Sequence, residues 1–142
     1  MGKIAIVYWS GTGNTEEMCK YIQEGAKDAG GEVDVFTADI FNASMVPNYD
    51  KIAFGCPSMG DEVLEEEIFE PMFTSVEKSL SGKPIAIFGS YGWGDGEWMR
   101  IWEQRCRDAG AVLVSGGVMA NESPNKAEAD DCRNLGVCLV KN

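Results

Sequence analysis

Three features of the sequence predict an α/β fold built on a doubly wound, five-stranded parallel sheet. Short apolar runs alternate along the chain with longer segments of helical period. The runs carry few polar residues, as expected of parallel strands covered by helices on both faces. Right-handed crossovers between such strands place helices on either side of the sheet. The loops after the first, third and fourth runs are unusual in composition, and they fall at the carboxyl ends of strands, where such sheets gather ligands.

Lys3-Ile4-Ala5-Ile6-Val7-Tyr8 reads as the first strand. Over residues 14–29, Met18, Ile22, Ala26 and Ala29 recur at three- and four-residue steps, which marks one face of a helix. Gly30-Gly31 ends it. Residues 32–37 alternate and form a second strand, and residues 51–56 a third. Ile68, Phe69, Met72, Phe73 and Val76 outline a second helix. Pro71 is unsuited to a helix interior, so this helix is expected to start near Glu70 with Pro71 in its first turn. Residues 83–89 make a fourth strand and 96–109 a third helix. A fifth strand begins over residues 111–114, and its continuation past Gly116-Gly117 to Ala120 is left open. Residues 126–140 read as the closing helix.

The 142 residues fit a single domain spanning 1–142, with no repeat, linker or low-complexity segment. No apolar run is long enough to cross a bilayer, and the first residues lead straight into a strand, so neither a membrane span nor a secretory signal is expected. A cytoplasmic monomer is the expectation. Twenty-three acids against twelve bases give a formal charge of −11, which argues against nucleic acid as a partner. The same charge suits docking on basic protein surfaces, or serves solubility alone. The five cysteines are odd in number and include no C-x-x-C pair, so buried thiols are expected rather than a disulfide framework or a metal site. Histidine is absent, which removes His-based acid–base catalysis and Ser-His-Asp triads. Chemistry in this chain therefore belongs to a bound cofactor.

The first strand runs into Tyr8-Trp9-Ser10-Gly11-Thr12-Gly13-Asn14-Thr15 and then into a helix. Gly11 and Gly13 let the backbone turn tightly, so that successive N–H groups can converge on an anion. The free N–H groups and the dipole of the following helix reinforce that site. Ser10, Thr12 and Thr15 supply hydroxyls and Asn14 an amide, with no Lys or Arg between Lys3 and Lys20. A phosphate here is held by neutral donors. An ordinary Ser/Gly turn with a helix cap competes for the bare string. Its place between a buried strand and an amphipathic helix favours the phosphate. Neither a P-loop nor a G-x-G-x-x-G fingerprint is present at this turn.

This loop, together with Cys56-Pro57-Ser58-Met59-Gly60-Asp61-Glu62 after the third strand and Gly89-Ser90-Tyr91-Gly92-Trp93-Gly94-Asp95-Gly96 after the fourth, resembles the flavodoxins, particularly the short-chain type of anaerobic bacteria. The resemblance spans essentially the whole chain. It implies a sheet of order 2-1-3-4-5 and non-covalent binding of FMN. It places Met59 against the inner face of the flavin ring, where a polarizable thioether suits the contact. Gly60 and Asp61 then lie beside flavin N5, where a turned Gly60 carbonyl accepts a hydrogen bond from the N–H formed when N5 gains a proton on one-electron reduction. That turn needs φ > 0 at Gly60, a conformation glycine adopts at little cost. Glu62 accepts from flavin N3–H, and Pro57 and Ser58 border the ribityl chain or ring. Ser90, Tyr91, Gly92, Gly94 and Asp95 border the pyrimidine edge, while Trp93 stacks outside the ring. Trp9 covers the phosphate or packs locally, and Asn121, after the fifth strand, touches the ribityl chain or ring edge. Trp98 and Trp102, four apart on a helix, are assigned to the core.

Six acids lie between Asp61 and Glu70 with no base from Asp61 to Glu77, and Asp95 and Glu97 flank Trp93. Gathered around a flavin without a compensating cation, they oppose added negative charge. The implied function is a low-potential one-electron carrier serving redox enzymes with basic docking surfaces. Two other readings stand beside it: an FMN-dependent NAD(P)H quinone or nitro reductase of the same fold, and a flavin-free binding module.

Overall fold

Alternate residues of the first strand point to opposite faces of the sheet and enter two separate cores. Ile4 and Ile6 pack with Met18, Ile22, Cys132, Leu135 and Leu139, while Ala5 and Val7 pack with Phe54, Phe69, Phe73, Trp98 and Trp102. The computed structural model describes residues 3–141. Strands β1 (Lys3–Tyr8), β2 (Glu32–Thr37), β3 (Lys51–Gly55), β4 (Pro84–Tyr91), β5 (Val112–Leu113) and β6 (Val118–Asn121) alternate with helices α1 (Asn14–Asp28), α2 (Phe69–Glu77), α3 (Glu97–Asp108) and α4 (Lys126–Lys141). All strand pairs are parallel, in the order β2-β1-β3-β4-β5, with β6 also on β4. Helices α1 and α4 cover one face; α2 and α3 cover the other.

The chain moves from β1 outward to β2 and returns to β3 on the far side of β1. The loops after β1 and β3 therefore diverge, and this reversal of strand order opens a crevice at the carboxyl ends.

Several boundaries differ from the sequence reading for local reasons. The second helix starts at Phe69, with Pro71 inside its first turn, where no intrahelical N–H bond is lost. The fourth strand continues to Tyr91, because Ser58 N–H bonds Ser90 O (2.9 Å) and β6 pairs with Ser90 and Tyr91 on the other side. The fifth strand is split. Its halves both pair with β4, but after Val114, whose N–H still donates to Ile85 O (2.9 Å), residues 115–117 leave the ladder. At Gly117 the backbone presses on α3: its N–H donates to Glu103 Oε2 at 2.6 Å, and a Cβ there would fall 2.4 Å from Met99 Sδ. A 3₁₀ segment, Ala43–Asn48, entered by Asn42 capping Ser44 N–H, falls where no element was expected. Gly30 ends the first helix region at φ 91°, as read from the sequence.

Cys19, Cys56, Cys106 and Cys132 are buried. Burial pushes the thiols of Cys19, Cys106 and Cys132 up to about 12, and that of Cys56 higher still, so they stay protonated and inert at neutral pH. Trp98 and Trp102 lie in the core as expected, at 2% and 1% exposure.

Candidate functional site

Ser10 begins the site. Its Oγ accepts from the N–H groups of Gly13 (3.1 Å) and Glu16 (3.3 Å), which folds residues 10–13 over the start of α1. Gly13 sits at φ 97°, a conformation a side chain rarely adopts, and immediately precedes the helix. Among the described residues, no acceptor pairs with the N–H groups of Asn14 or Thr15. These are first-turn donors of α1, of the kind that receive an anion. Trp9 is half-buried and its indole lies against Gly11, where a Cβ would meet Trp9 Cη2 at 2.9 Å. Trp9 therefore covers the loop and packs on the core at once.

Two adjoining hollows share Trp9 and Met59. The first, about 250 Å³, is bordered by Gly11, Thr12, Asn14, Pro57, Ser58, Ser90, Tyr91, Gly92 and Glu122. The second, about 580 Å³, continues over Gly60, Asp61, Val63 and Glu65 to Glu67. A Cβ placed on Gly13, Gly60 or Gly92 would meet nothing within 4 Å, so the backbone there faces open space. Neutral phosphate donors, a cleft bordered by a thioether and aromatic rings, and bare backbone along its wall fit a flat, phosphate-bearing cofactor.

The loop after β3 is a tight return. Met59 and Val63 exchange two backbone hydrogen bonds (2.8 and 3.0 Å), enclosing Gly60, Asp61 and Glu62. Gly60 has φ 49° and Glu62 φ 58°. The positive φ required for a turned Gly60 is thus already present.

Trp93 is 64% exposed in the loop after β4 and takes no part in the core. Gly94 (φ 90°) lies beneath Glu62: a Cβ there would come within 2.7 Å of the carboxylate. That approach lets Glu62 Oε1 accept Glu97 N–H at 3.0 Å, at the start of α3. One oxygen of Glu62 is thus spent on the fold.

Several side chains are engaged within the fold. The Thr15 side chain is turned inward, leaving only its backbone N–H toward the loop: at 1% exposure its Oγ1 pairs with Ser90 Oγ (2.9 Å) and accepts Ser90 N–H (3.3 Å). Asn121 lies outside the cleft lining: its N–H donates to Glu128 Oε2 (3.1 Å) and its amide to Tyr91 O (3.4 Å). Glu122, at φ 58°, takes the neighbouring place on the cleft, and no sequence signal marked it. The acids are not all uncompensated either. Glu70 pairs with Arg105 (2.7 Å), a base 35 residues away, and Asp95 with Arg100 (3.0 Å). Glu65, finally, is buried at 7% exposure although it borders the second hollow. Burial alone would raise its pKa, but N–H bonds from Phe69, Glu67 and Ile68 together hold it below the usual carboxylate range. Asp61, Glu66 and Glu67 remain exposed.

A protein-family model described as Flavodoxin matches residues 6–136. Flavodoxin of Megasphaera elsdenii is 45% identical over 138 residues, covering 97% of this chain and 98% of its own. Flavodoxin of Clostridium beijerinckii is likewise 45% identical over 131 residues, 92% of this chain and 94% of that one. The solution structure of two-electron reduced M. elsdenii flavodoxin superposes with a TM-score of 0.91, covering 98% of this chain and 99% of that chain.

Proposed function

The chain belongs to the flavodoxin family and is an FMN-binding electron-transfer protein, and on that premise we propose that the paired hollows around Trp9 and Met59 hold its cofactor. The observation that carries this assignment is convergence: Gly11, Thr12 and Asn14 border the same cleft as Met59, Tyr91 and Gly92. FMN supplies the redox chemistry. The protein binds its phosphate through Ser10, Thr12, Asn14 and the first N–H groups of α1, without a cation. Met59 lies on one face of the ring and Trp93 closes the other. Glu62 and Gly60 would hold the ring edge, Glu62 as an acceptor through its second oxygen and Gly60 through its backbone.

Asp61, Glu66 and Glu67 oppose additional negative charge on the bound cofactor, which lowers the potential of the second electron. The same exposed acids suit short-lived docking on redox enzymes with basic surfaces. The flavodoxin relatives do not favour the NAD(P)H reductase alternative. No helix among the described residues is long and apolar enough to cross a membrane. A single-domain monomer acting in the cytoplasm completes the proposal.

Titrating apoprotein with FMN tests the assignment through quenching of flavin fluorescence. Wild type is expected to bind stoichiometrically. Trp93→Ala is expected to bind about fivefold to tenfold more weakly, the loss of about 1 kcal/mol of aromatic stacking. Unchanged affinity in Trp93→Ala would refute the stacking role. Steady oxidation of NADPH with a quinone, without an added reductase, would refute the carrier reading.

A further inference from the structure

Glu65 is the one buried carboxylate among the described residues, at 7% exposure, while its neighbours Glu66 and Glu67 are exposed. A carboxylate buried without partners is costly, so its surroundings must supply hydrogen bonds. They do so at every polar atom. Oε1 accepts from Ile68 N–H (2.8 Å) and Phe69 N–H (2.7 Å), and Oε2 from Glu67 N–H (2.9 Å). Its carbonyl accepts Glu70 N–H at 2.9 Å, and its own N–H donates to Cys56 Sγ at 3.3 Å. Cys56 is itself fixed. Its N–H bonds Phe88 O on β4 (3.0 Å), and its carbonyl accepts from the Trp98 indole of α3 (3.3 Å).

The chain therefore leaves β3 at Cys56 and returns to the same point at Glu65, with the Met59–Val63 pair closing the excursion between. Only Gly60, Asp61 and Glu62 lie beyond that closure. Glu65 also borders the second hollow alongside Met59 and Gly60. We propose that Glu65 is a positioning residue: it clamps the trailing end of the Met59 loop to β3 and α2, so that Met59 and Gly60 meet the cofactor in one register. The proposal rests on the assignment of FMN to this cleft. It assigns Glu65 a role distinct from the field of the neighbouring acids, although all carry the same charge.

Salt separates the two effects, because screening removes the field of exposed charges but not a buried hydrogen-bond clamp. Apoprotein of wild type, Glu65→Gln, Glu66→Gln and Glu67→Gln is titrated with FMN at about 0.05 M and about 1 M sodium chloride. Both one-electron potentials of the holoproteins are measured at the higher salt. Glu65→Gln is expected to weaken FMN about tenfold at both salts, since Gln presents an N–H group where an acceptor is needed. The Glu66 and Glu67 variants are expected to stay within about twofold of wild type at high salt. The spacing of the two potentials is expected to change only in Glu65→Gln, by about 59 mV for each tenfold difference in affinity between redox states. High-salt affinity and spacing equal to wild type, or equal to those of Glu66→Gln, would overturn the proposal. If Glu65→Gln does not fold, Cys56→Ala removes the other end of the clamp. It is expected to lose about threefold in affinity at high salt, and wild-type affinity there would overturn the proposal. Failure of wild type to bind FMN would instead refute the cofactor assignment.

Discussion

Thr15 Oγ1 lies 2.9 Å from Ser90 Oγ, a hydroxyl pair buried between the phosphate loop and the fourth strand. The two residues are 75 apart in sequence, and they join the start of α1 to β4 beneath the cleft. Thr15→Val preserves shape but strands both the hydroxyl and the N–H of Ser90. Apoprotein stability in urea should fall by about 1–3 kcal/mol, the cost of leaving buried polar groups unpaired. An unchanged midpoint would mean that water or another group takes over the contact.

Gly25 and Gly136 let α1 and α4 touch backbone to backbone. A Cβ at Gly25 would fall 2.0 Å from Arg133 O, and one at Gly136 would fall 2.1 Å from Ile22 O. Glycine to alanine in a helix normally gains about 1 kcal/mol. Here the overlap is with rigid backbone, and overpacking costs about 1–3 kcal/mol or more. Gly25→Ala and Gly136→Ala should each lower the thermal midpoint, whereas the exposed-helix rule predicts a rise.

Trp98 and Trp102 are equally buried but not equally bonded. Trp98 donates to Cys56 O, whereas Trp102 Nε1 has no partner among the described residues. Replacement by phenylalanine creates a comparable void at both positions but removes a hydrogen bond only at 98. Trp98→Phe should therefore cost about 1 kcal/mol more than Trp102→Phe in denaturant unfolding. Equal losses would show that packing alone sets both.

Glu70 has its pKa lowered: burial acts upward, but hydrogen bonds from Arg105 and Thr74 and the charge of Arg105 outweigh it. A carboxylate depressed in the folded state adds stability above its unfolded pKa, near 4.5, and loses it as pH falls through the folded value. Glu70→Gln should be less stable than wild type at pH 7 by about 1 kcal/mol, a figure kept small because the side chain is 37% exposed. The gap should close on acidification below about pH 4.5. A constant gap across acid pH would remove Arg105 as its cause.

The elements were legible because burial leaves a period in the sequence. Ile4 and Ile6 face one core and Ala5 and Val7 the other, as an alternating strand demands. Pro71 and Gly30 marked helix boundaries through fixed or positive φ, a property of the residue itself. The phosphate loop was legible for the same reason, since Gly11, Gly13, Ser10 and Asn14 act within a few residues of one another. Glu122 was not, because its place depends on where β6 ends beside Tyr91. The split at Gly117 was not either, because Met99 and Glu103 of α3 cause it.

By itself, the sequence determined the α/β architecture and the family, since each rests on local pattern or on a string of adjacent residues. Tertiary structure alone decided how identical side chains divide their work. Of the acids between Asp61 and Glu70, Glu65 clamps a loop, Glu62 accepts from the start of α3, Glu70 answers Arg105, and Asp61, Glu66 and Glu67 remain exposed. Composition assigns them all the same charge. The partner each one meets comes from strands and helices distant in the chain, and that partner fixes whether the charge is neutralised, buried in hydrogen bonds or left to act on the cofactor.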